Sequence, residues 1–247
     1  GWLAWLSLTM IWALAVAVVR ATQNHPPHSL GAIQLPPTVA LVLALALLLE
    51  AAAATYGPAA NDNATGTAVA IALANALKAG APHNLSVELV LQGAGEGQEI
   101  GLRRYLRGRR RELGPANAVV LGIAPCGCGH VGPGSGRHIR HWLSDGRLIP
   151  LRYSRTLREL CADLEGSAGH RGRGATPALP ARAKGLPAIA IGCLDRHGLA
   201  PRSHQPTDVA SAIDQADLDQ AIEFALRLVD AIDGALEPEP ANSATPA

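Results

Sequence analysis

Two uncharged apolar runs at the start of the chain limit its possible folds more than any other feature. Trp2–Val19 (WLAWLSLTMIWALAVAVV) is 18 residues without a charge, closed by Arg20. A tilted membrane span needs about 20 apolar residues, so this run is just long enough. Trp2, Trp5 and Trp12 lie in it, two of them at its start, where interfacial aromatics gather. The second run, Pro37–Ala54, has an uncharged heart of 11 residues, Val39–Leu49, followed by Glu50. Spanning would place Glu50 near the membrane boundary or against a partner. The polar linker Ala21–Pro36 holds Asn24, His25, His28 and three prolines. Residues 1–56 are therefore expected to form a hydrophobic helical hairpin in a membrane. The alternative is an apolar hairpin packed on a soluble body.

The remaining composition narrows the function. The 247 residues carry a net charge of +1, so the chain is not a generic polyanion binder. Aromatics are 3% of the chain, too few for the interleaved stacking of a nucleic-acid surface. Hydrophobic residues reach 48%, mostly Ala, Leu and Val, which suffices for a sizeable core. Four cysteines (Cys126, Cys128, Cys161 and Cys193) are too sparse for a disulfide scaffold and leave the redox compartment open. The chain opens on Gly1, with no charged n-region and no clear cleavage site. A secretory signal fits poorly, and further residues are expected upstream.

After Tyr56 the pattern changes to alternating strands and helices. Strands are predicted at Leu85–Leu91, Asn117–Ile123 and Pro187–Cys193, with a short one at Arg147–Leu151. Helices are predicted from Thr65 or Thr67, as cap, to Lys78, and at Glu99–Leu113, Tyr153–Glu165 and Asp214–Ile232. Ala124–Ser135, Gly166–Thr176 and Arg196–Val209 read as loops. This alternation predicts an α/β domain over residues 57–236, with a mixed, largely parallel sheet flanked by helices. Glu237–Ala247, rich in Pro, Ala, Ser and Thr, is expected to be disordered.

In such folds the chemistry sits in loops beyond the carboxyl ends of strands. Asp62 lies in ANDNATG before a helix, Glu96 between glycines after a strand, and His204 in the proline-flanked PRSHQPTD. Each alone reads equally as a turn or loop residue. Two carboxylates and an imidazole together form a zinc set that leaves positions open for water and substrate.

The segment GPAANDNATGTAVAIALANAL resembles the GADDNASG-plus-helix segment of the di-zinc aminopeptidase family, which includes glutaminyl cyclases. VELVLQGAGEGQEIGLRRYL resembles that family's strand, paired-glutamate turn and helix. PAIAIGCLDRHGLAPRSHQPTD resembles the strand and loop that end in its histidine ligand. The likeness spans roughly Gly57–Asp233 and is greatest to a bacterial, membrane-associated branch. It implies a zinc exopeptidase fold, a peptide or small amide substrate and a place at the bacterial plasma membrane. It also implies that Asp62 matches the zinc-bridging carboxylate, Glu96 a ligand glutamate and His204 the last histidine ligand. In the family these three share one zinc.

The departures are specific. The family's general-base glutamate precedes the ligand glutamate, where this chain has Gly95. A strand-end aspartate for the other zinc falls at Gly122. Two functions follow. One is a membrane-tethered zinc exopeptidase acting through metal-activated water. The other is a degenerate binding or scaffolding module that keeps at most one metal. Glu99 reads as a surface helix residue, or as a neighbour of Glu96 if its helix begins early. Cys126, Cys128 and His130 in CGCGH read as a small-residue loop or as replacement ligands for soft metal. The run Arg103–Arg111 reads as a solvated face or a surface for anionic lipid headgroups. His170 and Arg171 are placed at the mouth of the site.

Overall fold

The computed structural model describes residues 2–23, 27–96, 99–127, 139–146, 149–195 and 198–236. Cys128, His130, the start of the strand expected at Arg147 and the tail from Glu237 lie outside the described residues. Two compact units appear, Gly1–Tyr56 and Gly57–Ala247.

The first unit is two helices packed on each other, α1 (Trp2–Thr22) and α2 (His28–Ala53). The linker is shorter than its composition suggests, because α2 begins at His28 and carries Pro36 and Pro37 inside it. Arg20 at the end of α1 donates from Nη1 to Gln34 Oε1 of α2 at 2.8 Å. Both helices are long and apolar enough to cross a membrane, and they leave large side chains such as Leu8, Leu14, Leu43 and Leu49 exposed. Apolar surface this continuous normally faces a partner or a lipid phase.

The second unit is an α/β layer structure around a mixed five-stranded sheet. Its strands are β1 (Val120–Ile123), β2 (Ile139–Asp145), β3 (Leu151–Arg152), β4 (Ser167–Arg171) and β5 (Ala188–Gly192). β1 runs parallel to β5, and β4 parallel to β2. β2 pairs antiparallel with β5 and β3. Apolar β5 (AIAIG) is buried throughout, as a strand covered on both faces must be.

Helices α3 (Gly66–Ala79), α5 (Arg155–Asp163) and α7 (Gln215–Gly234) form one packed group, and α4 (Ile100–Gly108) and α6 (Leu179–Ala183) another. Their apolar residues recur at helical spacing. In α7, Ala221, Phe224, Ala225, Leu228, Val229 and Ile232 line the core. Asp214 caps that helix, accepting from Ala216 N at 3.0 Å. Near its other end Asp233 accepts the N–H groups of His83 and Asn84 at 2.8 and 2.7 Å, fastening the chain that leaves α3.

Several elements differ from the sequence expectation. Leu85–Leu91 joins no sheet ladder among the described residues, and Val87, Leu89, Val90 and Leu91 stay exposed. A run of strand-forming residues becomes a strand only beside a partner edge. β2 was hidden because Arg140, His141 and Asp145 break its apolar pattern. His141 is satisfied by Ser167 Oγ at 2.6 Å, and Asp145 by three backbone N–H groups at 2.8 Å. β4 lay in a stretch read as loop, since small residues such as Gly169 weaken the strand signal. Neither Thr65 nor Thr67 caps α3. Both hydroxyls donate backwards, to the carbonyls of Asn61 and Asn63 at 2.7 and 3.1 Å.

Phe224 is wholly buried in this core. Phe224→Ala is expected to lower the unfolding free energy by about 3–5 kcal/mol in a denaturant titration. A loss below about 1 kcal/mol would contradict the packing described.

Candidate metal centre

Asp62, Glu96 and His204 come from three separate loops of the second unit and converge. Each offers a ligand atom, and the three atoms lie within 4.8 Å of one another. His204 Nε2 is 3.8 Å from Asp62 Oδ2 and 3.7 Å from Glu96 Oε2. Donors on a tetrahedral zinc, with bonds of 2.0–2.2 Å, stand about 3.3–3.6 Å apart. The two distances from His204 need only a slight contraction to fit such an ion. Glu96 and His204 are exposed, while Asp62 is largely covered. The centre opens onto a cleft of about 2010 Å³ that is also lined by Glu99, His170 and Arg171.

The loop carrying Asp62 is an irregular helical turn, Ala60–Thr65. Asp208 positions it, accepting the N–H of Asn61 at 2.6 Å on Oδ1 and that of Asp62 at 3.1 Å on Oδ2. Buried Asn61 accepts from Gly127 N at 2.8 Å and donates to Pro201 O at 2.9 Å, joining three loops. Ser203 Oγ donates to Asp62 Oδ2 and fixes the carboxylate's orientation. Asp208, Asn61 and Ser203 were not singled out from the sequence. Apart from their closeness to Asp62 and His204, they carry no signal that separates them from ordinary turn residues.

The Glu96 loop turns back on itself through Gly101, whose N–H donates to Gly93 O at 3.1 Å. A Cβ on Gly101 would lie 2.4 Å from that oxygen, so the close approach requires glycine. Glu99 is buried, at 4% exposure, which corrects its reading as a surface helix residue. It precedes α4 in a left-handed conformation, with φ of 60°.

Left-handed non-glycine backbone marks the site independently. Among the described residues it occurs at Ala59, Ala94, Glu99, Arg202 and His204. Each lies within three positions of Asp62, Glu96 or His204. Such conformations persist where surrounding structure enforces them, and they concentrate at functional sites.

The electrostatics separate these groups. Burial pushes the Glu99 carboxyl up to about 7; Gln92 and Arg103 oppose the rise, and Glu96 and Asp145 add to it. Burial holds His170 below the usual imidazole range, with Arg140 acting in the same direction. Cys126 is a buried free thiol pushed up to about 12 by desolvation, so it is poorly suited to supply a thiolate ligand.

The two glycines at expected acidic positions differ. A Cβ on Gly122 would lie 2.6 Å from Ala178 N and 2.9 Å from Ala178 Cβ, in space already occupied. A Cβ on Gly95 would meet nothing nearer than Glu99 Oε2, at 3.8 Å.

The family model described as peptidase family M28 matches residues 51–229. No curated protein matches the chain. Among solved structures, an aminopeptidase from Aneurinibacillus sp. strain AM-1 superimposes with a TM-score of 0.51 at 20% identity, covering 70% of this chain and 39% of that one. BSAP, a zinc aminopeptidase from Bacillus subtilis, gives 0.54 at 18% identity, covering 70% and 42%. The LapA aminopeptidase of Legionella pneumophila gives 0.56 at 15% identity, covering 74% and 49%. Likeness at these identities shows the fold alone. The chain spans less than half the length of these structures.

The glycine contrast gives a stability prediction. Gly122→Ala is expected to cost about 1–3 kcal/mol through overpacking, whereas Gly95→Ala stays within about 1 kcal/mol. Paired denaturant titrations measure both, and equal losses would contradict the difference in space.

Proposed function

Since the chain belongs to peptidase family M28, we propose that it is a membrane-anchored zinc exopeptidase of the aminopeptidase type. Asp62, Glu96 and His204 hold a single zinc ion in this reading, and a peptide or small amide is the substrate. The convergence of the three donors within 4.8 Å is the observation that carries it. When bound, zinc lowers the pKa of a water ligand to about 7 and polarises a carbonyl.

The chain's own residues do the rest. Asp208 and Ser203 keep the Asp62 carboxylate in one orientation. His204 and Glu96 face solvent, so substrate enters from the open side of the cleft. Arg171 lines that cleft and offers a cation to a peptide carboxylate or carbonyl, beside a His170 held toward the neutral form. Backbone of Pro177 and Ala178 fills the space beside Gly122, which supports one metal rather than two.

The placement at a membrane rests on α1 and α2, whose exposed apolar surface suits a lipid phase. The domain reading follows from the same features: a hairpin over residues 1–56, then a peptidase body. A second reading, a zinc-bearing binding module without turnover, is favoured by Gly95, which leaves that position without a proton acceptor.

Two measurements test this reading. Elemental analysis is expected to find about one zinc per chain, lost in His204→Ala; a wild type without zinc, or an unchanged variant, overturns the site. Alkaline carbonate extraction of cells expressing the full chain should leave it in the membrane pellet, and recovery in the supernatant contradicts membrane anchoring.

A further inference from the structure

The arginine run that begins at Arg103 takes no part in the centre described above. It falls on α4 and the turn that follows it. Leu102 and Leu106 are the buried side of this helix, while Arg104 and Arg107, three positions apart on another face, are exposed, as are Arg110 and Arg111. Arg109 is the paired member of the run. Its Nη1 donates to Glu88 Oε2, its Nε donates to Glu112 Oε2 at 2.8 Å, and its guanidinium lies 5.5 Å from the centre of the Tyr105 ring. Glu88 and Glu112 are thereby committed.

Arg104, Arg107, Arg110 and Arg111 make no ion pair among the described residues. The dipole at the carboxyl end of α4 accommodates Arg107, which accounts for one of these charges. Like charges at neighbouring helical positions repel, so the fold itself gains nothing from the rest. α6 packs on α4 and adds exposed Lys184 just beyond its end. Arg110 and Lys184 stand at a shallow groove of about 260 Å³ whose other lining is Leu106, Leu113, Pro115 and Leu186. Cations beside an apolar floor match the boundary of a bilayer, where phosphate overlies hydrocarbon.

We propose that the face formed by α4, the turn after it and the end of α6 docks on the headgroups of anionic phospholipids. It gives the chain a second, electrostatic attachment to the membrane that α1 and α2 enter in the reading above, on which this inference rests. The chain from Ala53, at the end of α2, to Ala60 reaches no more than about 25 Å even when extended. The body of an anchored chain therefore stays close to lipid headgroups. Guanidinium groups meet phosphate oxygens through paired N–H donors, so arginine suits this partner better than lysine. A nucleic acid fits less well. Tyr105 is the one aromatic residue between Glu99 and Leu113, and Arg109 already covers it.

The test places the full chain in nanodiscs of phosphatidylcholine, alone or with about a third phosphatidylglycerol. Hydrogen–deuterium exchange then reads the segment from Leu102 to Leu113 by mass spectrometry. Exchange is expected to slow about threefold or more in the anionic discs. The difference should vanish at about 1 M salt, where screening shortens to about 3 Å. Arg104→Glu combined with Arg107→Glu should abolish it as well, with bound zinc unchanged. Equal exchange in the two lipids overturns the inference and leaves membrane anchoring standing. A difference that survives high salt, or survives in the folded double variant, overturns it too. Should that variant not fold, the lipid and salt comparisons on the wild type decide alone. Soluble polyglutamate or an oligonucleotide that protects the segment in neutral discs as strongly as phosphatidylglycerol assigns the face to another partner and overturns the lipid. A chain that enters neither disc removes the anchoring reading, and this inference with it.

Discussion

Asp208 is almost completely buried, and its carboxylate accepts the backbone N–H groups of Asn61 and Asp62 across more than 140 residues of chain. Ala60 N–H donates to the Asp208 carbonyl at 3.1 Å in the same clasp. Closing so long a loop carries an entropic cost, and a buried polar group is tolerated when it is hydrogen-bonded. Both carboxyl oxygens of Asp208 are hydrogen-bonded where the Asp62 loop crosses the His204 loop. Asn61 extends the clasp to Pro201 and Gly127. The loops of Asp62 and His204 are therefore joined by a polar network, and the three candidate ligands line the cleft.

A second consequence concerns the loops' strain. Left-handed Ala59, Ala94, Glu99, Arg202 and His204 are conformations that an isolated loop would avoid. They lie beside the clasp on one side and beside the Gly101-to-Gly93 hydrogen bond on the other. The two glycines at expected acidic positions then acquire different meanings. The space beside Gly122 is filled by Ala178. Gly95 is open, and the nearest group to that opening is the Glu99 carboxyl.

Much of this was legible in the sequence. Asp62, Glu96 and His204 stood out because acids and imidazole at strand ends carry a chemical pattern, and the ordered resemblance joined them across the chain. The apolar periodicity of α1, α2, α7 and β5 marked those elements directly. β2 was not legible, since its polar residues are satisfied by tertiary hydrogen bonds that no local pattern encodes. The run Leu85–Leu91 failed in the opposite sense, because its local pattern suggests a strand but no ladder partner is present among the described residues. Asp208 and Glu99 were obscured for a related reason. Their importance lies in burial, which depends on how distant loops stack.

The central claim is that three light-atom ligands hold a single zinc at this centre. X-ray absorption at the zinc edge of the loaded full-length chain tests it most directly. The account predicts an oxygen and nitrogen shell at about 2.0–2.2 Å that includes one imidazole, with no sulfur shell near about 2.3 Å. It also predicts no metal–metal vector at about 3.5–4 Å, the spacing of paired-metal sites. A zinc–zinc vector at that distance, or a sulfur ligand from the Cys126 loop, would contradict it.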